Sequence, residues 1–157
     1  MDKLIDDLIK LAFAEDIGDG DHTTLCCIPE TAMGKSQLII KEDSVLAGVE
    51  MAKRIFHDFD PELKMTVFIQ DGAEVKKGDI AFVVEGKIQS LLQTERLMLN
   101  VMQRMSGIAT TTRKYAKALE GTKTHVLDTR KTTPGMRMIE KEAVRIGGGM
   151  NHRIGLF

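Results

Sequence analysis

The sequence has few cysteines, almost no net charge and no long apolar run, and each absence excludes a class of protein. Cys26 and Cys27 are its only cysteines, and they are adjacent. Neighbouring cysteines rarely bridge each other, so neither a disulfide framework nor a zinc site is supported. A reduced, cytoplasmic setting is therefore expected. No apolar run approaches the roughly 20 residues that span a bilayer, so we expect no membrane partner.

A net charge of −1 over 157 residues argues against a nucleic-acid partner, because nucleic-acid-binding domains usually carry a basic excess. The acidic start of the chain, MDKLIDDLIKLAFAED, is not typical of a secretory or organellar leader. The sequence has no GxGxxG or GxxxxGKS/T phosphate loop, no nucleophile elbow and no histidine pair at metal-ligand spacing. We therefore expect no metal ligands in this chain.

Apolar periodicity predicts a mixed α/β chain. Helical spacing of apolar residues occurs in residues 4–13, 49–59, 88–105 and 108–119. Alternating or β-rich runs occur in residues 36–41, 63–69 and 80–84. We expect Gly107 to cap the third helix and so to separate it from the fourth. This mixture favours an α+β layer over roughly the first 90 residues, in which helices pack on an antiparallel sheet.

Positive charge is concentrated in residues 128–153, DTRKTTPGMRMIEKEAVRIGGGMNHR. This segment holds six of the 22 cations and three of the 23 acids and so carries +3, whereas the remaining 16 cations and 20 acids leave −4 elsewhere. A strand at 124–127 is expected before it, and a helix at 136–145 within it. In βα-repeat folds, binding and catalytic residues gather where strands end. The segment is thus the first candidate for a site.

Each part of this segment also has an ordinary interpretation. Residues 129–133 could be a solvated polar loop, the glycines at 147–149 a flexible linker, and His152–Arg153 plain surface. Together, however, they combine cations, hydroxyls, a helix N-terminus and bendable main chain. Arginine binds planar carboxylates through two parallel hydrogen bonds, so the combination favours an anion site at the end of a βα strand. Elsewhere, His22 beside Asp21 is interpreted as a solvated loop histidine.

A family resemblance rests on five runs of residues: EDIGDGDHTT at 15–24, ERLMLNVMQRMSGIAT at 95–110, TRKTTPGMR at 129–137, KEAV at 141–144 and GGGMNHRIGL at 147–156. Over essentially its whole length, the chain resembles the quinolinate phosphoribosyltransferase family, also called nicotinate-nucleotide pyrophosphorylase (carboxylating). The motif at 129–153 is long and specific.

The resemblance implies an N-terminal α/β sandwich, residues 1–107 with its linking helices, leading into an α/β barrel of which residues 108–157 would be the first, incomplete part. It implies a homodimer or a higher oligomer, with each site between the sandwich of one subunit and the barrel of the other. The implied reaction joins quinolinate to 5-phosphoribosyl 1-pyrophosphate with Mg²⁺, giving nicotinate mononucleotide, pyrophosphate and CO₂ in NAD biosynthesis.

The resemblance also implies a set of substrate-binding residues: Arg96, Thr129, Arg130, Lys131, His152 and Arg153. Arg130 and Arg153 would bind the quinolinate carboxylates, and Arg96 would come from the neighbouring subunit. Lys131 and His152 would be catalytic, lining the place where the two substrates meet, with Lys131 facing the phosphates.

Family members continue beyond the position that corresponds to Phe157. We therefore expect this chain to be the first half of a longer enzyme, without its ribose- and pyrophosphate-binding residues. Two alternatives stay open: a related phosphoribosyltransferase-like protein with another acceptor, and a non-catalytic module for anion binding or dimerisation.

Overall fold

The computed structural model describes residues 2–156, and the predicted α/β class is confirmed in them. The elements in chain order are α1 (Asp2–Ile17), α2 (His22–Cys27), β1 (Met33–Ile39), β2 (Ser44–Val45), α3 (Val49–Phe59), β3 (Lys64–Val67), β4 (Glu74–Val75), β5 (Ile80–Lys87), α4 (Ile88–Ala118) and α5 (Arg137–Ile146). The predicted helix at 49–59 agrees with α3, and the strand predicted at 80–84 is the first part of β5.

The main sheet is antiparallel, with β5 between β1 and β3. Ala81, Phe82, Val83 and Val84 are buried in succession, so the central strand is covered on both faces. The ring of Phe82 meets that of Phe56 edge to face, at 6.4 Å between centroids, which packs α3 against the sheet. Strands β2 and β4 form a separate antiparallel pair.

Helix α4 has 31 residues and is about 46 Å long. Its side chains bind the main chain that leads into α3. The Thr110 hydroxyl accepts from Val45 N (2.9 Å), and the Ser106 hydroxyl accepts from Ala47 N (3.0 Å) and donates to Ala47 O (3.1 Å). Gly48 follows with φ 105°, and a Cβ there would lie 3.2 Å from the Cα atom of Met102. The loop therefore lies directly on the helix, in a conformation that favours glycine.

Helix α5 ends against α4. A Cβ atom on Gly147 would lie 2.5 Å from Ala109 O, so only a hydrogen atom fits between the two helices. Arg113 of α4 donates to Gly147 O (3.0 Å) and to Ile146 O (3.2 Å), which satisfies the last carbonyl groups of α5 with a cation. These contacts position the charged segment against the central helix.

The expected break at Gly107 is wrong, because the two predicted helices form the single helix α4. One buried stripe continues past the glycine through Met105, Ala109 and Thr112. An interior glycine costs only about 1 kcal/mol relative to alanine, so packing outweighs it. The domain division expected after residue 107 thus falls inside a helix.

Two further local expectations differ from the structure. The strand expected at 124–127 is reduced to a single parallel bridge between Leu127 and Met150, because a ladder needs a partner over several residues. His22, expected in a loop, is the first residue of the short helix α2. Its N-terminus is capped by Asp21, whose carboxylate accepts from Thr24 N (3.1 Å).

Replacing two glycines by alanine should shift stability in opposite directions. Inside α4, a methyl group on Gly107 would meet nothing within 4 Å, so Gly107→Ala should stabilise the fold by about 1 kcal/mol. Gly147→Ala would place a methyl group against the main chain of α4 and should destabilise by roughly 1–3 kcal/mol. Urea unfolding followed by circular dichroism measures both changes, and two shifts of the same sign would contradict this helix packing.

The Asp60 carboxylate should stabilise the fold only where it is ionised. Ser90 Oγ donates to Asp60 Oδ2 (2.6 Å), and this bond is the main reason why the pKa of Asp60 lies below its ordinary value. A lowered folded-state pKa stabilises above the unfolded pKa of about 4, and the contribution is lost as the pH falls through the folded-state pKa. Ser90→Ala should therefore cost about 1 kcal/mol at neutral pH and clearly less in strong acid. Urea unfolding at neutral pH and in strong acid measures the cost of the substitution in each condition. An unchanged cost in acid would refute the prediction.

Candidate anion-binding site

The two ends of the charged segment run side by side. Met150 N donates to Val126 O (2.8 Å), and Asp128 N donates to Met150 O (3.1 Å). Between these points the chain passes through a loop and α5 before it returns. The residues that follow Asp128 and those that follow Met150 are therefore neighbours at one end of this small parallel arrangement, as expected for the end of βα strands.

A buried ion pair lies beneath this end. Lys141 of α5 donates to Asp128 Oδ1 at 2.6 Å, and the two side chains are only 3% and 6% exposed. Burying two charges costs several kcal/mol per ion unless further hydrogen bonds satisfy them. Here Asp128 Oδ1 also accepts from His152 N (2.7 Å), and Lys141 Nζ also donates to His152 O (3.3 Å). With its amide nitrogen turned toward these acceptors, Asn151 donates to Asp128 Oδ2 (2.8 Å) and to Lys141 O (2.9 Å).

Arg137, at the start of α5, joins the two loops a second time. Its guanidinium donates to Ile154 O (3.0 Å), to Arg130 O (3.4 Å) and to the Thr132 hydroxyl (3.2 Å). All three acceptors are uncharged, so no carboxylate offsets the positive charge of Arg137 while it holds the loops together. The cation is thus part of the framework of the site.

Glu140 anchors the far end of the first loop to the central helix. It is 9% exposed, and its carboxylate accepts from Arg104 Nε of α4 (2.8 Å) and from Thr133 N (3.3 Å). Arg104 also donates to the Thr133 hydroxyl. A buried acid is thereby neutralised by a cation from another element, and the loop that carries Arg130 is fixed at both ends.

The two arginines predicted to bind carboxylates differ from the other six. All eight arginines lie within residues 2–156, and six of them bond to a carboxylate or to a main-chain carbonyl group. Only Arg130 and Arg153 have no side-chain hydrogen bond or ion pair to the rest of the described chain. Arg130 is half-buried and Arg153 is exposed. The structure therefore brings two unneutralised guanidinium groups onto adjacent loops.

The other predicted residues of this segment lie on the same two loops. Lys131 and His152 are exposed, and neither side chain bonds to another described residue. The Thr129 hydroxyl accepts from Lys131 N (3.0 Å), which fixes the turn after Asp128. The arrangement can bind an anion, because it offers several donors without internal carboxylate partners.

Arg96 lies in a different part of the chain. It lines a cleft of about 610 Å³ with Asp16, Asp21 and His22, and its Nε atom is 3.0 Å from Asp16 Oδ1. Its charge adds slightly to the lowering of the Asp21 pKa, of which the main cause is the hydrogen bond from Thr24. His22 is exposed, as interpreted from the sequence, and its nearest acid is Asp19 at 3.4 Å. No residue of 128–153 lines this cleft.

Four charged residues of the segment have structural roles that the sequence did not indicate: Asp128, Arg137, Glu140 and Lys141. The role of Arg104 in α4 was not predicted either. A signal was present in the spacing of α5, where Glu140 and Lys141 adjoin the buried Ile139. Charged residues on the buried face of an amphipathic helix require partners. Which residues are these partners could not be predicted, because they lie on elements distant in sequence.

Two further properties concern residues 2–156 as a whole. They contain no group of three or more His, Cys, Asp and Glu side chains that could hold a metal ion. None of their helices combines the length and apolarity needed to cross a bilayer.

Comparison with known proteins identifies the family of the chain. Residues 21–106 match the family model of the quinolinate phosphoribosyl transferase N-terminal domain, and residues 108–157 match that of the C-terminal domain. A quinolinate phosphoribosyltransferase [decarboxylating] 1 of Nicotiana glauca is 48% identical over 151 residues, or 96% of this chain and 43% of the relative. A chloroplastic nicotinate-nucleotide pyrophosphorylase [carboxylating] of Oryza sativa is also 48% identical over 151 residues, covering 96% of this chain and 40% of the relative.

A solved structure extends the likeness to three dimensions. The crystal structure of NadC from Streptococcus pyogenes superposes with a TM-score of 0.94 at 40% identity, over 99% of this chain and 55% of that one. The chain thus spans about half the length of the relatives that it matches. Both family domains match in order and together cover nearly the whole chain, so the protein belongs to the quinolinate phosphoribosyltransferase family.

Proposed function

We propose that this chain forms the carboxylate-binding half of a quinolinate phosphoribosyltransferase. The observation that carries the proposal is the pair Arg130 and Arg153, which have no partners in the described chain and lie on loops that one buried ion pair and one arginine hold together. Quinolinate is a planar ring with two adjacent carboxylates. Two guanidinium groups on neighbouring loops offer the bidentate donors that such a dianion requires.

The reaction proposed is the transfer of phosphoribose to quinolinate with decarboxylation. The ring nitrogen attacks the anomeric carbon of 5-phosphoribosyl 1-pyrophosphate, and the bond from that carbon to pyrophosphate breaks with oxocarbenium character. The bond to the carboxylate beside the ring nitrogen then breaks, CO₂ leaves, and the carbanion formed takes up a proton to give nicotinate mononucleotide. The positive pyridinium nitrogen stabilises that carbanion.

The exposed cations suit this chemistry because the protein must mainly align two anions and balance their charge. Lys131 would face the phosphates of the ribose donor, and His152 would lie where the two substrates meet; Thr129 would shape the pocket through the turn it fixes. None of these roles needs a finely tuned acid–base pair, which fits a site dominated by permanent cations.

Mg²⁺ is proposed to accompany the phosphoribosyl pyrophosphate. Diphosphate oxygens are the hard ligands that Mg²⁺ prefers. Residues 2–156 contain no group of three or more His, Cys, Asp and Glu side chains that could hold the ion by themselves. When bound, it would neutralise charge on the leaving pyrophosphate.

We propose a homodimer or higher oligomer in which Arg96 completes the site of the neighbouring subunit. The support is the position of Arg96, which is exposed and lines two cavities. None of the other five proposed binding residues lines either of them. Its ion pair with Asp16 is at the surface and contributes little, so an incoming carboxylate could replace it at small cost.

The cytoplasm is the compartment we propose, since Cys26 and Cys27 are both exposed and unbridged, as in a reducing environment. The rice relative is named as chloroplastic, so cell fractionation with an antibody to this chain is the direct test.

Removing either unpartnered arginine should weaken quinolinate binding to the 157-residue chain. Arg130→Gln and Arg153→Gln should each cost on the order of 2–5 kcal/mol of binding free energy, the range for a desolvated charged contact. Isothermal titration with quinolinate measures the affinity. Arg145→Gln is the matched control, because Arg145 is paired with Glu142 at the surface and should leave the affinity unchanged.

The same titration separates the candidate functions. Quinolinate binding without product formation in the presence of phosphoribosyl pyrophosphate would identify a binding half-site. Absence of quinolinate binding by the unsubstituted chain would overturn the proposal.

Mixing two variants tests whether Arg96 acts across the interface. Arg96→Ala and Arg130→Ala should each bind quinolinate weakly on their own. In a mixed dimer, one site receives both intact arginines, so random exchange of subunits should restore about a quarter of the sites. Titration before and after subunit exchange measures this, and no recovery would show that Arg96 acts within its own subunit or not at all.

A further inference from the structure

Four of the six proposed binding residues have no side-chain hydrogen bond within residues 2–156 that would fix them. Arg130, Lys131, His152 and Arg153 make no side-chain hydrogen bond to another described residue. Their positions are therefore set through the main chain of two loops. The distance between the two loops therefore sets the distance between the cations that they carry.

Asp128 and Lys141 make the contacts that join the loops most directly. Asp128 immediately precedes the first loop, and its Oδ1 atom accepts from His152 N in the second loop at 2.7 Å. Lys141 donates to the same Asp128 oxygen at 2.6 Å and to His152 O at 3.3 Å. Both polar main-chain groups of His152 are thus bound by one ion pair, and the pair is almost wholly buried.

We propose that Asp128 and Lys141 are positioning residues for the anion site. By fixing the main chain of His152 against that of Asp128, the pair sets the separation of the loops that carry Arg130 and Arg153, and hence the affinity for a dianion. The proposed function supplies the ligand on which this inference rests. Neither Asp128 nor Lys141 touches the ligand, because both side chains lie beneath the loops.

The composition of the pair supports a positioning role. Two apolar side chains of similar size often stabilise an interior as well as a buried ion pair does. They could not, however, accept from His152 N or donate to His152 O. Lys141 also neutralises a carboxylate that would otherwise oppose an anion bound nearby. The pair therefore supplies two things that apolar packing cannot supply.

Two variants of the full chain separate positioning from simple stability. Lys141→Met should lower stability and quinolinate affinity together, because it leaves a buried carboxylate unpaired. The double substitution Asp128→Leu with Lys141→Met should regain most of the stability, since no charge is left buried. Its quinolinate Kd should nevertheless stay raised on the order of 10–100-fold, the range found when residues that orient metal ligands are removed.

The measurements are thermal unfolding, isothermal titration with quinolinate, and amide relaxation by nuclear magnetic resonance in residues 129–131 and 151–153 without ligand. The control is Lys35→Met with Glu85→Leu, which removes a surface ion pair of the sheet and should leave Kd unchanged. A double variant that recovers both stability and affinity would overturn the positioning role.

Failure of the proposed function would give a different result from failure of the positioning role. If the unsubstituted chain does not bind quinolinate, the choice of ligand is wrong, and the relaxation data alone decide the anchoring. Increased mobility of both loops in the double variant would support anchoring by the pair, and unchanged mobility would refute it.

Discussion

The close contact between α4 (Ile88–Ala118) and the main chain on either side of it determines how the rest of the molecule is arranged. Ser106 and Thr110 bond to the backbone that leads into α3, and Gly147 brings the end of α5 to within contact distance of Ala109. Two parts of the chain far apart in sequence are thereby held on one rigid helix. The two charged loops lie on either side of α5 in the chain, so this contact also sets their position.

Charge balance explains why the site has free cations at all. Within the segment, Asp128 is neutralised by Lys141, and Glu140 by Arg104 of the central helix. The acids of the segment that lie next to the loops are therefore already paired. Arg130 and Arg153 are left without an internal counterion, and an external anion can supply what the fold does not. The paired Asp128 and Glu140 carboxylates are buried, whereas the unpartnered Arg130 is half-buried and Arg153 is exposed.

Local sequence predicted the helices and the longer strands well, because each of them has an apolar period that its own residues carry. Helix α3 agrees with the predicted range, and the class of the fold is as expected. The break at Gly107 was wrong because the helix propensity of one residue is a weak term, and the buried stripe through Met105 and Ala109 outweighs it. Helix α2 was missed because six residues show no reliable period.

The sequence by itself determined that cations are concentrated in residues 128–153, and its motifs determined the family. It could not determine which of these cations are free. Arg137, Lys141 and Arg130 look alike as residue types, yet the first holds two loops, the second is buried against Asp128, and the third is unpartnered. Only the tertiary structure decided this, because a charge becomes structural or available according to the partners that folding brings within hydrogen-bonding distance.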